Sequence, residues 1–120
     1  MENNLKLRTK QFSLMILEIV DLLPSSVSTK LISYQIAKSG TSVGANYRAS
    51  CRERSDNEFI SKMNIVLEES DESMFWLEII KEKNWIKSEV IEKAWKEANE
   101  LTSIFVTILK NTKNRVNSKN

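Results

Sequence analysis

Between Ser39 and Leu77 the chain reads SGTSVGANYRASCRERSDNEFISKMNIVLEESDESMFWL, and this stretch restricts the fold more than any other. Small residues fill a helical run, a capped turn follows, and a long amphipathic segment then carries acids and one tryptophan. Ser55 with Glu58 three residues later predicts a capping box, and Asp56 places an acid where the helix dipole favours one. The helix so started runs over about 56–83, with Phe59, Met63, Val66, Ser70, Met74, Leu77 and Ile80 recurring on one face. At 1.5 Å per residue it is roughly 40 Å long. Asn84 can close it in the left-handed conformation.

The same periodicity extends in both directions. Phe12, Met15, Ile16, Ile19, Val20 and Leu23 recur at three- and four-residue steps, which predicts a helix over about 5–23 that Pro24, Ser25 and Ser26 stop. A second helix over about 29–52 has the stripe Ile32, Ile36, Gly40, Val43 and Tyr47. Ser88 is expected to cap a fourth helix over about 88–111, with Ile91, Ala94, Trp95, Ala98, Leu101, Thr102, Phe105, Ile108 and Leu109 inward. Residues 112–120 are polar and basic and read as a frayed tail. With only two glycines and one proline in 120 residues, long helices joined by short turns are the expectation. The fold class is therefore all-α, one antiparallel up-down-up-down four-helix bundle spanning 1–120.

The two glycines sit four residues apart on the second helix. Glycine in mid-helix costs about 0.5–1 kcal/mol relative to alanine. Close approach of a neighbouring backbone explains them; a break at Ser39–Ser42 is the alternative.

Composition narrows the chemistry. There is no histidine, which removes the usual general base near neutral pH and the commonest metal ligand. The single Cys51 cannot form an internal disulfide, so a cytoplasmic location is expected, and nothing activates it as a nucleophile. The longest apolar run, Phe12 to Leu23, is interrupted by Glu18 and Asp21 and is too short for a bilayer. No membrane association is expected.

The runs SGTSVGANYRAS and EFISKMNIVLEESDESMFWLEII closely resemble the bacterial four-helix-bundle proteins known as 23S ribosomal RNA intervening-sequence proteins. The resemblance spans about Phe12 to Leu109. Its matching positions are Ser42, Gly44, Asn46, Arg48, Ser55, Phe59, Ile60, Lys62, Glu68, Glu69, Glu72, Trp76 and Leu77. It implies a homopentameric, barrel-like assembly, and relatives that include the accessory protein of diversity-generating retroelements, which works beside a reverse transcriptase. It carries no catalytic residues. Asn84 departs from the glycine common among relatives, without consequence for the fold.

Charge on this topology is uneven. Lys6, Arg8 and Lys10 meet Arg48, Arg52, Arg54, Lys110, Lys113, Arg115 and Lys119 at one end of the bundle. These ten cations face Glu2, Glu53, Asp56 and Glu58, so that end carries +6 and the rest of the chain −4. Compensation of helix dipoles accounts for the clusters ending the second and fourth helices, but not for Lys6, Arg8 and Lys10. Two readings stay open: a merely solvated basic end, or a polyanion-binding one. On the second, Arg48, Arg52 and Arg54 are the first candidates for phosphate contacts, supported by Lys6, Arg8, Lys10, Lys110 and Lys113.

The remaining constellations read as structural. Glu68, Glu69 and Glu72 raise the possibility of a di-metal bundle, but the Glu-x-x-His pairs of such sites are absent. With Asn46 and Lys62 they are expected to form a polar network, Asn46 bonding to Glu69 or Ser42. Phe75 and Trp76 give helix 3 a second apolar face and are candidates for an oligomer interface. The expected function is non-enzymatic, with no cofactor or metal: a homo-oligomer binding nucleic acid, RNA before DNA. The alternative is an adaptor docking on a nucleic-acid enzyme such as a reverse transcriptase.

Overall fold

Four helices account for nearly the whole chain: α1 (Glu2–Leu22), α2 (Val27–Ser50), α3 (Asp56–Glu82) and α4 (Ser88–Lys119). The structure, a computed structural model, describes the backbone of residues 2–119 and the side chains of residues 4–118. Consecutive helices pack side by side, and α4 returns against α1 along a shorter contact. The result is an all-α, antiparallel up-down-up-down bundle measuring 53 × 22 × 19 Å.

Each turn is set by local chemistry. Ser26 caps α2 reciprocally: its Oγ accepts from the Thr29 backbone N–H, while Thr29 Oγ1 accepts from that of Ser26. This places the start of α2 two residues ahead of its expected position, because a threonine serves where the usual box has Glu or Gln. At α3 the Ser55 Oγ accepts from Glu58 N–H as anticipated, but the Glu58 carboxylate accepts a hydrogen bond from the Ser55 hydroxyl instead of one from the backbone N–H. Only half of the predicted box forms. Asn84 lies at φ 55°, in the left-handed region, and reverses the chain after α3. Ser88 is the first residue of α4.

The periodic residues build the core. Phe12, Ile16, Ile19, Ile36, Val43, Tyr47, Met63, Val66, Leu77, Ile80, Ile91, Leu101 and Phe105 are buried almost completely. Each such side chain contributes about 1.5–3 kcal/mol of transfer free energy. Tyr47 and Phe105 stack across the interior with ring centroids 6.1 Å apart. Small hydroxyl side chains occupy the middle of the bundle. Ser73 lies 3.0 Å from Ser39 across α2–α3, and Ser70 lies 2.9 Å from Thr102 across α3–α4. These hydroxyls also bond to helical carbonyls, so short side chains bring the helices close while leaving no buried side-chain polar atom unpaired among the described residues.

Helix α2 is continuous through Ser39–Ser42, so the glycines mark a close crossing and not a break. A Cβ on Gly40 would lie 2.7 Å from Ile16 side-chain carbons. On Gly44 it would lie 2.7 Å from Ser13 Oγ and 3.2 Å from the Thr9 carbonyl oxygen. Ser13 Oγ also bonds the Gly40 carbonyl at 2.8 Å, tying α1 to α2 at the same place.

The expected frayed tail is instead the last part of α4, which stays helical through Lys119. Thr112 is buried, and Arg115 reaches Asp56 at the start of α3 at 2.9 Å. Packing beside the α2–α3 turn supplies what the polar sequence beyond Asn111 does not advertise.

Candidate nucleic-acid interface

Antiparallel packing brings the start of α1, the end of α2, the start of α3 and the end of α4 to one end of the bundle. The cations there do not form one uniform surface. Lys6, Lys10, Arg48 and Arg52 come together on the rims of a groove between α1 and α2. The groove has a volume of about 550 Å³, and Leu7, Ser13, Thr41, Gly44 and Ala45 complete its lining. No acid lines it. All four cations are exposed, and none is ion-paired among the described residues.

The register follows from the glycine crossing. Gly44 is level with Lys10, since a Cβ on Gly44 would stand 3.5 Å from the Lys10 Cα. Four residues back along α1 is Lys6, and four residues on along α2 is Arg48, so these two share the next level. Arg52 lies one turn further. Each level is separated from the next by about 6 Å along the bundle axis.

Arg8 departs from this group. Its Nε and Nη2 each donate to a Glu97 carboxylate oxygen at 2.8 Å, and Nη2 also approaches Glu100 Oε1 at 3.0 Å. The hydrogen bond to Glu97 is the main cause that raises the Arg8 pKa above its ordinary value. Its charge is spent joining α1 to α4, so it is not available for a phosphate. Arg54 lines a different depression, beside Cys51, Ser55, Asp56, Phe59 and Arg115. Lys110 and Lys113 are exposed on α4, away from the α1–α2 groove. The side chains of Glu2 and Lys119, counted in the basic end, lie outside the described residues.

The expected polar network does not assemble as one unit. Asn46 Nδ2 donates to the Ser42 carbonyl at 3.0 Å, within its own helix. Glu72 accepts from Trp76 Nε1 at 3.1 Å, and the Glu69 carbonyl accepts from Ser73. Among the described residues no hydrogen bond or ion pair links Asn46, Lys62, Glu68, Glu69 and Glu72 as side chains to one another. Likewise no three of the His, Cys, Asp or Glu side chains described converge on a point that could hold a metal ion.

Phe75 and Trp76 lie edge to face on α3 with centroids 4.9 Å apart. Phe75 is half exposed, whereas Trp76 is partly buried against the core. Ile65 is also exposed on α3, with the exposed acids Glu68 and Asp71 between it and Phe75. Among the described residues no helix is long and apolar enough to cross a membrane.

Sequence reasoning located the cations of the groove but not its floor. Ser13, Thr41 and Ala45 carry no signal by themselves. The readable clue is Gly44 beside Ala45, one turn from Arg48, opposite two lysines spaced four apart.

A sequence profile of the 23S rRNA-intervening sequence protein family matches residues 2–107. A crystal structure from Bacteroides thetaiotaomicron, of a protein of unknown function from the S23 ribosomal protein family, is 31% identical. It superposes with a TM-score of 0.80 and covers 88% of this chain and 98% of its own. No curated protein matches the sequence. With the family profile covering most of the chain and a relative of the same architecture, this protein belongs to the 23S rRNA-intervening sequence protein family.

Proposed function

We propose that this protein is a non-enzymatic, homo-oligomeric bundle that binds nucleic acid through its basic end. The observation that carries the reading is the α1–α2 groove, where four unpaired cations meet with no acid in the lining. Arg8 and Arg115, at the same end, are neutralised by carboxylates, so the contrast lies in placement and not in charge count alone. Lys6 and Lys10 lie in the N-terminal half of α1, away from the helix C-terminus that favours cations, so dipole compensation does not account for them. Such a surface attracts a polyanion and contacts phosphates without reading bases.

RNA is placed before DNA on the family's description alone, since the groove holds no side chain arranged to distinguish the sugars. The apolar side of α3 at the half-exposed Phe75, edge to face with Trp76, supports a homo-oligomer, and the family resemblance implies a pentamer. The second reading, an adaptor docking on a nucleic-acid enzyme, draws on that same apolar side.

Light scattering on purified protein, with and without a short structured RNA at low and moderate salt, tests the proposal. An oligomer that gains mass with RNA and loses it as salt rises is the expected result. Indifference to RNA at low salt would overturn nucleic-acid binding. Co-purification with a protein that survives nuclease treatment, and charge reversal at Arg48 and Arg52, would then favour the adaptor.

A further inference from the structure

The cations of the α1–α2 groove are ordered along a line. Lys10 stands at the first level opposite bare Gly44, Lys6 and Arg48 face each other at the second, and Arg52 stands at the third. Successive levels are about 6 Å apart, the rise of four helical residues. That is near the separation of neighbouring phosphates on an extended nucleic-acid strand. The floor is shallow and small-sided: Gly44, Ala45, Thr41 and Ser13 lie where α1 and α2 approach most closely. No aromatic side chain lines it, so it offers no platform for a base.

We infer that the groove is a track for the sugar–phosphate backbone of a single strand, holding about three consecutive phosphates with the bases turned outward to solvent. This deepens the nucleic-acid reading above and rests on it. The argument for a single strand is one of width. Packed helices have axes about 8–10 Å apart, so the depression between them admits a strand but not a duplex, which can only ride on the rims. A strand in the groove is neutralised from both walls, by lysines on one side and arginines on the other. Because only phosphates are contacted, the binding is indifferent to base composition.

Lys10 gains particular importance from Gly44. The missing side chain lets α1 and α2 close on each other at this level, so that the Lys10 Cα stands 3.5 Å from where a Gly44 Cβ would be.

The test uses the intact protein and fluorescence anisotropy with three labelled probes: a short oligouridylate, an oligoadenylate of the same length, and an RNA duplex of the same length. Single strands are expected to bind about tenfold more tightly than the duplex, with the two homopolymers alike. The single-strand slope of log K against log salt is expected near −2 to −3, an affinity loss of about 16- to 64-fold between roughly 50 and 200 mM salt. Arg48→Ala/Arg52→Ala should about halve that slope, while Lys110→Ala/Lys113→Ala, outside the groove, should leave it nearly unchanged. All four positions are exposed, so these variants retain the fold, which circular dichroism verifies. Equal or tighter binding of the duplex, or a clear preference between the homopolymers, would overturn the single-strand track while leaving nucleic-acid binding standing. Equal slope losses in both double variants would overturn the groove as the site. Absence of binding to every probe at low salt would remove both readings together.

Discussion

Gly40 and Gly44 show how single residues decide the packing of this bundle. Neither glycine has a positive φ; what each lacks is a Cβ that the neighbouring helix has no room for. At Gly40 the obstruction is Ile16, a β-branched and fully buried side chain whose own Cβ lies 2.9 Å from the added atom. At Gly44 it is first the Ser13 hydroxyl, which can rotate only by giving up its bond to the Gly40 carbonyl. Gly40→Ala is therefore expected to lower stability by about 1–2 kcal/mol despite the better helix propensity of alanine. Gly44→Ala is expected to lower it by about 1 kcal/mol. Leucine at either position should disrupt the crossing outright. Urea unfolding checks the order; unchanged midpoints for both alanine variants would mean that the helices are further apart than the structure places them.

At the scale of elements, the bundle is closed unequally. Three consecutive helix pairs pack along most of their lengths, but α1 and α4 share a shorter contact. Arg8 spans that seam with a two-pronged bond to Glu97 and a further contact to Glu100. Forked guanidinium–carboxylate geometry makes this pair stronger than an ordinary surface ion pair, though partial exposure limits it. A double-mutant cycle with Arg8→Ala and Glu97→Ala is expected to give a coupling of about 1 kcal/mol, shrinking as salt is raised. A coupling indistinguishable from zero at low salt would show that the seam is held by packing alone. The same arginine illustrates why a charge tally at one end of a bundle overstates the free charge: a cation is available to a ligand only where no carboxylate reaches it first.

For the whole molecule, the position of the exposed apolar residues relative to the groove matters most: Leu7, Leu14, Leu31 and Tyr34 are exposed on α1 and α2, and Leu7 lines the groove itself. The groove cations face outward between α1 and α2, while the half-exposed Phe75 and Ile65 lie on α3. An assembly formed through α3 can therefore leave the groove of every copy open. Phe75→Asp places a charge on an exposed position and is expected to lower the mass of the proposed assembly with little change in helicity. Light scattering paired with circular dichroism reads both; an unaltered mass would exclude this side of α3 from the interface.

Much of the fold was legible because helical periodicity is a local property. The stripes of α2 and α3, the cap at Ser55 and the reversal at Asn84 follow from neighbouring residues and their spacing. The end of α4 was not legible. Thr112 and Arg115 sit in a polar run, and their burial and ion pair beside the α2–α3 turn involve residues distant in sequence. The Ser26–Thr29 box escaped notice because threonine rarely fills the return position. By itself the sequence determined four amphipathic helices, their antiparallel order and the end at which cations gather. Which cations stay unpaired, which acid captures Arg8, and how Gly44 lets α1 and α2 close beside Lys10 were decided only by the tertiary structure. Charge availability and groove width depend on distances between residues far apart in the chain, and those distances are set by how closely the helices pack.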